Sequence, residues 1–207
     1  MAARILNGHN RVVAYADDPV GYRERLVAKL RPERMRATMA FAGLYQLTHE
    51  MIKQIVLDKV RDFFCLGAIG LGDVMTAEER KQYDREVVRL SPKNVFRASL
   101  LWLIQMDAIT LVQADRLDDV YAHRHDLAHE LMKYIVDPDH EPDVDLLADA
   151  IAILRDLHRF WIDVELGIGS FEHVENIDEV DPDEIVPLSM MILQQCLDAY
   201  NAGLVAP

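Results

Sequence analysis

The chain has 207 residues, 51% of them apolar, and a formal net charge of −13 at pH 7. That length suits one domain with its own core, the acidity argues against a broad phosphate-binding surface, and no apolar run approaches the roughly 20 residues needed to cross a bilayer. The start, Met1-Ala2-Ala3-Arg4 and on through Asn7, Gly8, His9 and Asn10, lacks the apolar centre of a secretory signal, so a cytoplasmic protein without membrane attachment is expected.

Apolar residues recur mostly at helical spacing, which predicts an all-α fold, a helical bundle of about six or seven helices in a single domain over 1–207. A short helix near Val20–Leu30 leads through Pro32 into a long one over about Glu33–Phe64, with Met39, Leu44, Leu47, Met51, Ile55 and Val60 as its apolar stripe. Glycines at 67, 70 and 72 end it. Thr76 followed by Glu78 and Glu79 marks the start of a helix to about Leu90, because carboxylates favour the positive end of a helix dipole. Ser91-Pro92 breaks the pattern, and a largely apolar helix over about Asn94–Ala114 is expected at the centre of the bundle.

The next helix, about Leu117–Val136, carries the densest polar cluster of the chain. Pro138 and Pro142 bracket an acidic loop, Asp143 or Asp145 caps a helix to about Leu166, and Gly167 and Gly169 close it. The acidic stretch 172–184 is expected to be an exposed connection to a last helix over about Pro187–Ala202. Acidic Asp137–Asp145 and basic Arg23–Arg36 are suited to pairing with a partner or between subunits, although a solvated surface is the commoner arrangement. Cys65 and Cys196 lie far apart in apolar helical surroundings and read as buried free thiols, while Trp102 and Trp161 read as core. No glycine-rich stretch fits a phosphate loop or a dinucleotide fingerprint.

Within His123, Arg124, His125, Asp126, Leu127, Ala128 and His129, three imidazoles sit beside a guanidinium and a carboxylate. Imidazole titrates near neutral pH and can move protons, and arginine forks hydrogen bonds onto phosphate. Arg124 and His129 form an Arg-x4-His pattern with a polar residue, His125, directly after the arginine. The spacing recurs at Arg4–His9 and, with six intervening residues, at Arg116–His123, but helical context and polar neighbours favour Arg124.

In these residues and its helical character the chain resembles the HEPN superfamily, small all-helical proteins with an Arg-x4-6-His motif that often act as metal-independent ribonucleases. The resemblance implies Arg124 and His129 as the catalytic pair, His125 as the polar position after the arginine, RNA as the partner, a homodimer, and no metal or cofactor; His125 and Asp126 are the supporting candidates of the cluster. On an unbroken helix the pair points about 140° apart, so its convergence requires long side chains, a local irregularity or a second subunit.

Two other readings stand beside this one. The cluster can be a polar helix face in a non-catalytic interaction or regulatory module, an acidic regulator of a basic partner for example. Alternatively His125 and His129, four apart and on one face, can ligate a metal near Asp126 or Glu130, as in HD-type phosphohydrolases, with His49, His158 or Asp163 as remote ligands. His49-Glu50 reads as a surface or core-edge pair.

Overall fold

In a computed structural model, which describes residues 18–65, 75–169 and 181–205, the chain is an all-α bundle of eight helical rods without a strand among the described residues. Helix α1 (Pro19–Lys29) starts where the Asp18 side chain accepts the Gly21 N–H. The chain turns at Arg31 into the longest rod: α2 (Pro32–Gln54), a π-helical segment over Ile55–Lys59, and α3 (Val60–Phe63). Pro32 suits the first turn of α2, where its missing N–H has no helical partner to lose. Helix α4 (Ala77–Glu86) opens on a capping box between Thr76 and Glu79, and a 3-10 turn over Val88–Leu90 leads to α5 (Val95–Gln105). Then come α6 (Leu111–His129), α7 (Leu131–Val136), α8 (Val144–Gly167) and, past a 3-10 turn at Pro182–Glu184, α9 (Leu188–Val205).

Three of these boundaries correct the reading of the sequence. The apolar run through Asn94–Ala114 is two helices, because α5 ends at Gln105, Asp107 takes a left-handed φ of 58°, and α6 restarts behind Thr110. Aspartate tolerates that conformation better than most side chains. A second break, at Glu130 (φ −116°, ψ 25°), divides the cluster-bearing helix into α6 and α7. The helix expected to reach Leu90 stops at Glu86 and continues only as the 3-10 turn. Glycines 67, 70 and 72 and most of the 172–184 connection lie outside the described residues, as does Arg4–His9.

Thr110 Oγ1 accepts the Gln113 N–H at 3.2 Å while Gln113 Oε1 accepts the Thr110 N–H at 2.8 Å, so two otherwise orphaned donors are satisfied at the start of α6. Removing such a cap costs about 1 kcal/mol. Thr110→Ala is therefore expected to lower the urea midpoint by a corresponding amount without changing its slope, and an unchanged midpoint refutes that role.

Helix α2 is the hub, touching α1, α6, α7, α8 and α9. Its inward residues are Phe41, Leu44, Tyr45, Thr48, His49 and Ile52, whereas Met39, from the expected stripe, is 47% exposed. Helix α8 buries Leu146, Leu147, Ala150, Ile153, Leu154 and Leu157 against this hub and α6, a broader apolar face than that of α5, which forms one wall rather than the centre. Trp102 of α5 and Trp161 of α8 stack with ring centroids 6.4 Å apart and planes inclined by 19°, next to Phe63. Both indoles are buried, as their apolar settings suggest. Both cysteines are partly exposed rather than buried.

The opposite charge runs meet within the chain. Arg25 lies 3.7 Å from Asp139, and the Lys29 amine, buried with its side chain only 7% exposed, donates to the His140 carbonyl and to Glu141 Oε1 at 3.2 Å. At least part of the basic segment is thus neutralised by the acidic loop of its own protein. No helix among the described residues is long and apolar enough to cross a membrane.

Candidate functional site

Helix α6 distributes the cluster over four directions. Its inward stripe is Ala114, Leu117, Val120 and Leu127, and Arg124 continues that stripe by helical phase, so its side chain enters the seam with α2. There the Arg124 Nη2 donates to Glu50 Oε1 at 3.2 Å. The guanidinium is largely buried, and its Nε has no hydrogen-bond partner within the protein. Glu50 also lies 3.6 Å from the Lys53 amine and 3.4 Å from Nδ1 of buried His49. Although burial raises the affinity of Glu50 for a proton, Lys53, His49 and Arg124 outweigh it and hold the carboxyl below its ordinary range.

His125 and His129 face the opposite way. Both are exposed, and their rings sit 4.2 Å apart at an inclination of 51°, one turn apart on the outer face. His129 is the last residue of the helix. Asp126 is turned toward α7 and accepts a short hydrogen bond from the Tyr134 hydroxyl, a tie that spans the Glu130 break. Burial and then Asp126 raise the Tyr134 phenol above its usual value.

His123 points elsewhere again, its ring between Tyr45 at 5.0 Å and Tyr134 at 5.8 Å. Its Nε2 accepts the backbone N–H of Asp143 at 3.1 Å, which assigns the proton of the neutral ring to Nδ1. Asp143 in turn caps α8, its Oδ1 accepting the Leu146 N–H at 2.8 Å. His123 is therefore a clasp between α6 and the start of α8.

One chain thus brings His125 to His129 and Arg124 to Glu50, but no hydrogen bond or ion pair joins Arg124 to His129 among the described residues. The pairings that the sequence did not disclose are Arg124 with Glu50, 74 positions away, and Asp126 with Tyr134, eight away. His49-Glu50 was visible as a pair, and the structure places it at the edge of the core. No group of three or more His, Cys, Asp or Glu side chains among the described residues is arranged to hold a metal.

Burial lowers the proton affinity of His49, His123 and His158 below the ordinary imidazole value. A depressed folded-state pKa means that the unfolded chain takes up protons first, so the stability is intact above the unfolded value, about 6.5, and declines as the pH falls toward the folded values. The melting temperature is expected to drop between about pH 7 and pH 5, and His123→Gln to flatten part of that drop. A profile rising toward acid contradicts the assignment.

No protein-family model, curated protein or solved structure matches the chain.

Proposed function

We propose that the protein is a HEPN-like RNA-cleaving or RNA-binding protein that uses Arg124 and His129 without a metal. The observation that carries this reading is the last turns of α6: an exposed pair of imidazoles, His125 and His129, one and five residues beyond a guanidinium that is braced by Glu50. In this reading His129 takes the proton from a ribose 2′-hydroxyl as it attacks the adjacent phosphate. Arg124 stabilises the charge that accumulates on the phosphoryl oxygens. His125 is the polar neighbour of the ring that moves the proton, and Asp126, tied to Tyr134, steadies the helix end. Because the two catalytic groups diverge on one helix, a two-fold homodimer is proposed to bring Arg124 of one subunit toward His129 of the other.

The test is cleavage of a mixed-sequence RNA and its all-deoxy counterpart in EDTA. RNA fragments ending in cyclic phosphates, intact DNA, and a light-scattering mass of twice 23.7 kDa are the expected results. Activity that requires added metal transfers the site to the HD-type reading. The interaction-module reading has its own support in the Arg124–Glu50 pair, which can be a structural tie between α2 and α6. Neither cleavage nor binding of RNA establishes it.

A further inference from the structure

Beside the Arg124–Glu50 pair, a cavity of about 230 Å³ opens between α2, the start of α5 and α6. Leu57, Phe96 and Tyr121 give it apolar walls, and His49, Lys53, Asn94 and Asp118, the last held by Arg97 at 3.1 Å, supply its polar lining. Leu57 belongs to the π-helical segment, where the wider turn displaces the backbone from the ordinary helical track. Tyr121 is 54% exposed, and its ring lies 5.6 Å from that of His49.

Polar capacity converges on this cavity. His49 is only 6% exposed, and its buried Nδ1 has no closer partner among the described residues than Glu50 Oε1 at 3.4 Å. A buried polar group without a partner is costly, which points to a ligand or water that completes it. Asn94 uses its side-chain oxygen to cap α5 through the Arg97 N–H at 3.0 Å, leaving its amide N–H groups to donate outward. A planar heteroaromatic ring with donors and acceptors along one edge meets both demands.

The neighbourhood says what such a ring is attached to. Tyr121 stands one helical turn before His125 on the same outward face of α6, and Arg124 joins His49 through Glu50 at 3.2 and 3.4 Å. Single-stranded RNA is recognised through unstacked bases laid on aromatic side chains and read along their edges, with arginine or lysine on the backbone. We propose that the cavity receives one base of an RNA strand whose phosphate lies on Arg124, stacking the base against Tyr121 and presenting its edge to His49. The cavity is a recognition subsite, and it rests on the RNA reading given above.

The probes are the four ribonucleoside 5′-monophosphates and inorganic phosphate, titrated into the full-length protein by calorimetry, together with cleavage of the mixed-sequence RNA. At least one nucleotide is expected to bind about tenfold or more tighter than inorganic phosphate, in line with the contribution of one base–aromatic stack. Tyr121→Ala removes that advantage and Tyr121→Phe keeps it; because Tyr121 is an exposed residue, both variants are expected to melt like the parent. Nucleotides binding no better than phosphate, or equally well to Tyr121→Ala, overturn the proposal. If RNA is cleaved but Tyr121→Ala changes neither binding nor cleavage, the subsite falls and the nuclease reading survives. Tyr121-dependent nucleotide binding without cleavage leaves the subsite standing and removes the nuclease.

Discussion

Under the proposed ribonuclease function, Arg124→Ala and His129→Ala are each expected to reduce RNA cleavage at least about a hundredfold, the usual scale for losing a positioned proton-transfer group or a preorganised charge on the transition state. The two variants should differ in stability. His129 is exposed at the end of α6, so its removal leaves the melting curve nearly unchanged, whereas Arg124 is packed in the seam and its loss frees Glu50 from one of its cationic neighbours. Arg124→Lys separates these effects, because it keeps the charge beside Glu50 but not the two-pronged contact with phosphate that the proposal gives Arg124; melting is expected to recover and cleavage is not. Mixing Arg124→Ala with His129→Ala subunits restores activity only where the two subunits share a site. Wild-type rates in both single variants, measured in a single turnover, refute the catalytic assignment.

Leu154→Ala is expected to destabilise the fold by about 2–5 kcal/mol, the range for deleting most of a fully buried leucine side chain. Leu154 has no exposed surface, and it sits at the middle of the α8 face that packs on α2 and α6. Val112→Ala, at a position 78% exposed in the first turn of α6, is the control and should stay within about 0.5 kcal/mol of the parent. Urea unfolding of the pair checks the expectation. A Leu154 variant as stable as the Val112 variant means that α8 is not the core helix the structure describes.

The helical class was legible because spacing of apolar residues survives any arrangement of the helices. Boundaries were harder where two elements share an apolar character. Ala108, Ile109, Leu111 and Val112 look like the continuation of α5, and only the Thr110–Gln113 capping pair betrays the new start. Residues expected to be inward or outward were misplaced where the phase was judged from a few positions, as at Met39. The chemical cluster itself was plain in the sequence, but its directions were not. Arg124 finds Glu50 on another helix, Asp126 finds Tyr134 beyond a break, and His123 finds a backbone N–H at the start of α8; none of these partners lies at a spacing that local periodicity reveals.

The stacked indoles of Trp102 and Trp161 give the protein a built-in optical reporter. They are the only tryptophans in the chain, and both lie where α5 meets α8, so tryptophan fluorescence, excited beyond the tyrosine absorption, observes that junction alone. Far-ultraviolet dichroism instead averages over every helix, including α1 and α9 at the periphery. Following one denaturation with both signals therefore resolves whether the outer helices melt with the centre or detach ahead of it: coincident curves mean one cooperative unit, and an earlier dichroic loss means peeling from the ends.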